Sequence, residues 1–282
     1  MRARVDCIPC YLKQALSAIK EIEKDPEKQR ALLIKTAEIL PELTLEETPA
    51  GNSSFILFRV SELTGCPDPF KEKKHYYNQL ALKLYPKLVE LAKNHPDPLE
   101  GAVRIAAAGN VIDLGILSTV NIEEGIRQVM SSGFARNDYE RFKEELKNAK
   151  TILYLPDNAG EIVFDRVLIE ELTKRGKRVI IGVRETPILN DITPIDIKEA
   201  NIPEEVEVII TGSRKIGTDL PSCSKRFIKI FQNSDIIIAK GQGNFETLSE
   251  ERGPIYFLLK AKCPLVAEEA KVLFGDMIFA RV

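Results

Sequence analysis

Thr151-Ile152-Leu153-Tyr154-Leu155-Pro156-Asp157-Asn158-Ala159-Gly160-Glu161 is the stretch from which the fold can be read. A short run of apolar and β-branched residues passes straight into a polar turn with one glycine, and apolar residues then take a helical spacing over about 160–175. The pattern recurs. Arg178–Val183, Val206–Ile210, Asp235–Ala239 and Cys263–Ala267 read as further strands, with helices over 194–200, 222–233 and 253–261 between them and an edge strand at Met277–Arg281. Near-continuous apolar strands alternating with helices predict an α/β fold whose mainly parallel sheet is covered on both faces.

Upstream of Lys150 the spacing is helical throughout, as in Leu12, Leu16, Ile19 and in Tyr77, Leu80, Leu84, Leu88, Leu91. Further helices are expected near 50–64, 98–108, 122–132 and 137–148, and no strand. Asp25-Pro26 and Asp68-Pro69 each place a capping acid before a proline suited to a first helical position. The expected organisation is an all-helical domain over 1–149 followed by the α/β domain over 150–282.

Composition narrows the function. The 282 residues carry 40 Lys+Arg against 42 Asp+Glu, a formal net charge of −2, and 44% are hydrophobic. Such a balance gives no basic field for a nucleic-acid backbone. No apolar run approaches the roughly 18 residues of a membrane span, and Met1–Asp6 leads into no signal-peptide core. A cytoplasmic protein with neither nucleic acid nor membrane as partner is expected, and the many Lys and Glu resemble a thermophile surface. Of five cysteines only Cys7 and Cys10 lie close in sequence, which argues against a secreted disulfide framework. At a helix start they suit a structural or redox-sensitive pair better than half of a zinc site.

Successive parallel strands with right-handed crossovers point the same way, so the residues after each strand gather along one sheet edge, where α/β proteins bind ligands. Those residues are Pro156–Glu161, Arg184–Asp191, Thr211–Ser213 and Lys240-Gly241-Gln242-Gly243-Asn244. Asp157, Asn158 and Asp191 supply hard oxygen donors for a divalent cation, although an Asp or Asn at this place can also simply cap the helix. Gly160 lets a ligand approach the backbone at a helix start, which favours an anion. Lys240 can meet a phosphate as a point charge, with Gly241 allowing close contact. Asn110, in Ala108-Gly109-Asn110-Val111-Ile112-Asp113, reads from its residues alone as a helix end. His75 and His95 read as surface residues and build no Ser/His/Asp triad.

Taken together in order, Cys7-x-x-Cys10, Gly65–Phe70, Ala108–Asp113, Asp157–Glu161, Asn190-Asp191 and Lys240–Glu246 resemble the metal-dependent damage-control phosphatase family, in its stand-alone Cys-x-x-Cys branch of prokaryotes and archaea. The resemblance spans nearly the whole chain. It implies a Rossmann-like three-layer α/β/α domain with an N-terminal helical domain, and hydrolysis of phosphate monoesters of small metabolites such as sugar phosphates. It also implies a divalent cation (Mg²⁺, Mn²⁺, Co²⁺ or Ni²⁺). Asp157, Asn158 and Asp191 would hold the metal, with Asp157, Asp191 and Lys240 catalytic. Asn110, Asn158, Gly160, Lys240, Gly241, Asn244 and Lys262 would bind substrate. Where some branches carry Arg-Thr-x-Lys near the C-terminus, this chain has Leu259-Lys260-Ala261-Lys262, so only Lys262 matches. The competing reading is an S-adenosylmethionine-dependent carboxyl methyltransferase or nucleotide-binding module using Glu185. The single glycine after the first strand, Gly160, ranks it second.

Overall fold

The computed structural model describes residues 1–111 and 119–281; Ile112 and Asp113 of the Ala108–Asp113 stretch lie outside the described residues. The chain opens with helices α1 (Cys7–Ile22), α2 (Pro26–Ala37), α3 (Pro49–Thr64), α4 (Lys71–Lys93), α5 (Pro98–Val111) and α6 (Thr119–Ser131). Strand β1 (Arg136–Asn137) and α7 (Tyr139–Asn148) follow. From there strands and helices alternate: β2 (Thr151–Leu155), α8 (Glu161–Lys174), β3 (Arg178–Val183), α9 (Pro194–Glu199), β4 (Glu207–Ile210) and α10 (Lys225–Asn233). The C-terminal part is β5 (Ile236–Lys240), α11 (Gly241–Leu248), β6 (Ile255–Lys260), α12 (Pro264–Ala270) and β7 (Met277–Arg281).

The seven strands form one sheet in the order β1-β7-β6-β5-β2-β3-β4. All neighbours are parallel except β6 and β7, which run antiparallel. From β4 to β6 the order is that of a doubly wound sheet, with the reversal of winding between β2 and β5. Pleating sends alternate residues to opposite faces. Ile152, Tyr154, Ile236 and Ile238 join α4 to α8 in one core. Leu153, Leu155, Ile237 and Ala239 join α1, α3, α10, α11 and α12 in the other. Residues 1–149 therefore contribute to both cores that flank the sheet. Phe142 of α7 packs edge-on against Tyr256 of β6 and Phe279 of β7, each at 5.2 Å between ring centroids, closing one corner.

Five expectations need correction. The stretch expected to be a helix over 253–261 holds strand β6 (Ile255–Lys260), and the strand expected at Cys263–Ala267 is instead the start of helix α12 (Pro264–Ala270). A short apolar run does not declare its own period, and the deciding feature is Pro264, whose fixed φ and missing N–H suit the first turn of α12. The crossover between β5 and β6 is instead α11, in the stretch read as a glycine loop. Among the described residues before 150 there is one strand, the two-residue β1 paired with Ile278 and Phe279, too short to show a period. Asp25 caps α2 as expected, accepting the Glu27 N–H at 2.8 Å. Asp68 does not cap; α4 starts at Lys71, and the Asp68 carboxylate lies 2.8 Å from Lys74 Nζ.

Gly182, inside β3, faces Leu155 and Phe227. A Cβ there would lie 2.9 Å from Leu155 Cδ2 and 3.0 Å from Phe227 Cε2. Gly182→Val is expected to lower unfolding free energy by about 1–3 kcal/mol through overpacking, measured by urea titration.

Candidate active site

The reversal of winding decides where the site lies. Crossovers leave β2 and β5 in opposite directions, so the turn after β2 and the start of α11 open a crevice at the carboxyl ends of the strands. Asp157 lies in the first turn and Gly241 begins the second. They touch: Gly241 has φ +77°, and a Cβ there would collide with the Asp157 carboxylate. Glycine is required twice over, by the left-handed backbone and by the contact.

The loop after β3 is stitched to the same turn. Asn158 and Asp191 form an isolated antiparallel bridge. The Ala159 N–H donates to the Asn190 carbonyl at 2.9 Å and the Ile192 N–H to the Asp157 carbonyl at 3.2 Å. Gly160, at φ +79°, precedes α8, and no Asp157 or Asn158 side chain caps that helix. The simple capping role is thereby set aside. Gly160 N–H instead donates to Asn78 Oδ1 of α4 at 2.7 Å, while Asn78 Nδ2 donates to Asp196 at 3.1 Å and to Glu199 at 2.9 Å.

Two amides serve two carboxylates. Asn158 Nδ2 donates to Asp157 Oδ2 at 2.8 Å and to Glu161 Oε1 at 2.9 Å. Asn110 Nδ2 donates to Asp157 Oδ2 at 3.3 Å and to Glu161 Oε2 at 3.2 Å, with its own Oδ1 accepting the Lys260 N–H at 3.0 Å. Asp191 is buried and accepts from Arg184 Nε at 2.6 Å. Withdrawal from water, then the charges of Glu161 and Asp191, raise the pKa of Asp157 well above the usual carboxylate range. That of Asp191 is also raised, chiefly by burial, against the opposing pull of Arg184.

Lys240 and Asn244 face inward. The Lys240 ammonium is fully buried, donating to Asp165 Oδ1 at 2.5 Å and to the Ala106 carbonyl at 2.9 Å, with Glu161 Oε2 at 3.9 Å. Burial pushes the Asp165 carboxyl up to about 6 in spite of Lys240. Asn244 Nδ2 donates to the carbonyls of Leu155, Pro156 and Lys240, and its Oδ1 accepts from the Thr218 hydroxyl at 2.8 Å. This side chain ties α11 to the end of β2. Lys262, after β6, is exposed and close enough to Asp157 to favour its ionised form.

A cavity of about 430 Å³ adjoins the crevice through Gln242 and Lys262. Its other walls include Tyr11 and Gln14 of α1, Ser53 of α3 and Glu246 of α11. Gln242 Nε2 donates to Glu246 Oε1 at 2.9 Å, whereas Gln242 Oε1 is buried with no partner among the described residues. His75 and His95 lie apart from this cavity: His75 is exposed beside Glu199, and His95 bonds the Asp97 backbone.

The site thus gathers Asp157, Asn158, Asn110, Gly160 and Gly241 directly, with Asp191 reached through the backbone bridge. Sequence reasoning missed three supporting residues. Asp165 follows Glu161 by four positions on α8, a helical spacing that signals a shared face. Glu161 stood in the quoted stretch without an assigned role. Asn78 had no local signal, because it reaches Gly160 from a helix 82 residues away.

The whole chain can now be set beside known proteins. Residues 3–278 match the family model described as the damage-control phosphatase ARMT1-like domain. The chain belongs to this family. An uncharacterized protein of Methanocaldococcus jannaschii is 39% identical, over 100% of this chain and 96% of that one. A damage-control phosphatase of Pyrococcus horikoshii is 36% identical over 100% of this chain and 98% of its own. One of Archaeoglobus fulgidus is 33% identical over 96% of each. The crystal structure of the Pyrococcus horikoshii protein, a DUF89 family member, superposes with a TM-score of 0.90, covering 100% of this chain and 99% of that one. The family and this neighbour agree with the mixed α/β fold described above. Among the described residues no helix is long and apolar enough to cross a membrane.

Two outcomes follow from the buried charges. Asp165→Asn leaves the Lys240 ammonium without its carboxylate and should cost about 3–5 kcal/mol in a denaturant titration. Burial raises the Glu246 carboxyl from its ordinary 4.5 to about 7, so the stability of its neutral form is complete below 4.5 and is lost as pH rises through about 7. Glu246→Gln should remove that loss, making the variant more stable than the parent above pH 7 by roughly 3 kcal/mol and nearly equal below 4.5 in melting experiments.

Proposed function

We propose that this member of a phosphatase family hydrolyses phosphate monoesters of small metabolites, with a divalent cation held by Asp157, Asn158 and Asp191. The observation that carries the reading is a charge deficit. Four carboxylates, Asp157, Glu161, Asp165 and Asp191, stand in one enclosed network, and the buried cations paired with them are Lys240 and Arg184. With all four carboxylates ionised, the difference is two charges, that of a divalent ion. Its donors would be hard oxygens, which suit Mg²⁺ or Mn²⁺. No group of three or more His, Cys, Asp or Glu side chains is gathered as a ready metal cluster among the described residues. The proposed donor set differs from such a cluster in using two carboxylates and one amide, and Asp191 must share its carboxylate with Arg184.

The cation, when bound, would supply Lewis-acid polarisation of a phosphoryl oxygen. The chain's own groups do the rest. The start of α11 offers backbone N–H groups to the phosphate, and exposed Lys262 adds a positive charge at the mouth. Lys240, fully enclosed, acts from below: it offsets the charge of Asp165 and Glu161 and so holds α8 and the β2 turn in place. Asn110 and Asn158, each donating to both Asp157 and Glu161, orient the two carboxylates. The neighbouring 430 Å³ cavity falls in the ~300–1,000 Å³ range of small-molecule sites and would receive the alcohol portion. The same charge deficit favours hydrolysis over the S-adenosylmethionine alternative, which needs no divalent ion.

The test uses metal-stripped protein and a panel of sugar phosphates, with and without Mn²⁺ or Mg²⁺. Phosphate release is expected only with metal, and Asp157→Asn should reduce it to the uncatalysed background. Metal should also raise the melting temperature of the parent but not of Asp157→Asn. Because ligands with raised pKa must lose protons to bind, the metal-induced gain should grow as pH rises. Metal-independent turnover surviving in Asp157→Asn would overturn the proposal.

A further inference from the structure

We propose that Cys7 and Cys10 are a site of reversible oxidation, closing to an intramolecular disulfide by exchange with a small disulfide such as oxidised glutathione. The thiols are the first and fourth residues of α1, one turn apart, so they share a helix face at its start. Both cysteines are free, and both line the 430 Å³ cavity, which gives a small reagent a route to them.

Their environments differ. Cys10 is exposed, and is the thiol that an external disulfide meets first. Cys7 is buried, with its Sγ accepting the Arg4 N–H at 3.4 Å. Burial raises its pKa against the opposing hydrogen bonds of Arg4 and Tyr11, so it stays protonated until a partner sulfur arrives. Cys263, ahead of α12, lines the same cavity and is the competing partner for Cys7.

In the first step the Cys10 thiolate attacks one sulfur of the glutathione disulfide. A Cys10–glutathione bond forms and one glutathione leaves, taking up the proton that Cys10 gave. Cys7 then loses its proton and attacks Cys10 Sγ, and the second glutathione leaves with that proton. Two protein thiols are oxidised to one disulfide while one external disulfide is reduced to two thiols.

The experiment reads thiols and not turnover, so it stands apart from the phosphatase assay. The intact protein is incubated with oxidised glutathione, its free thiols are blocked, and it is digested with trypsin; cuts after Arg4 and Lys13 place both cysteines in Val5–Lys13. The expected peptide carries neither label nor glutathione, is lighter by two hydrogens, and accepts two labels again after dithiothreitol. Cys7→Ser should trap glutathione on Cys10, and Cys10→Ser should leave Cys7 labelled and unmodified. The proposal is overturned if the parent peptide keeps two labels, stops at glutathionylated Cys10, or is found joined to the Cys263 peptide. The parent result decides the matter even if a serine variant fails to fold.

Discussion

Charge balance at the carboxyl edge of the sheet is the constraint on which the rest depends. A carboxylate removed from water is costly unless it is paired or hydrogen-bonded. The fold meets that cost unevenly. Asp165 has Lys240, which also lies 3.9 Å from Glu161; Asp191 has Arg184; and Asp157 has two amides that carry no charge. Neutral donors orient a carboxylate without satisfying its field. Asp157 is left with the largest unmet demand, at a position that touches α11 and feels Lys262. Supporting groups settle the charges beneath the crevice, and on the proposed function the unsettled one is where a cation would bind.

This arrangement needs elements distant in sequence to be held against one another, and short polar links do so. Asn244 grips the end of β2 from α11, Asn78 holds the Gly160 N–H from α4, and Asn110 connects α5 to β6 through the Lys260 N–H. Each is an asparagine, whose amide can donate and accept at once. Each lies almost wholly out of solvent, so a lost partner would leave a buried polar group unpaired. The geometry of the β2 turn is therefore over-determined, as preorganised sites require.

Much of this was readable before any coordinates. Apolar runs with β-branched residues located β2 to β5, and the rule that strand ends gather along one edge brought Asp157, Asn158, Asp191 and Gly241 together. The failures have physical causes. Ile255–Lys260 is apolar on both faces because β6 is covered on both sides, and such a run is equally a strand or a helix by period. Lys240 read as a phosphate ligand because a strand-end lysine offers a point charge; its burial against Asp165, a partner 75 residues away, had no local signal. The Asn78 contact depends on how α4 docks, which no local pattern encodes.

The cavity is walled by both halves of the chain. Its walls come from α1 and α3 on one side and from α11 and α12 on the other, whereas Asp157, Glu161 and Asp191 come only from the α/β portion. A phosphoryl group has the same shape and charge on any ester, so the residues that meet it can be invariant in geometry while the organic portion varies. Tyr11, Gln14 and Ser53 would meet that organic portion, together with the unpartnered Gln242 oxygen. An apolar or misaligned group placed against that oxygen would leave a buried acceptor unpaired, whereas a hydroxyl or amide would satisfy it. On the proposed function, discrimination between substrates would lie with helices that read in sequence as a separate helical domain, and the bond-breaking geometry with the sheet edge they cover.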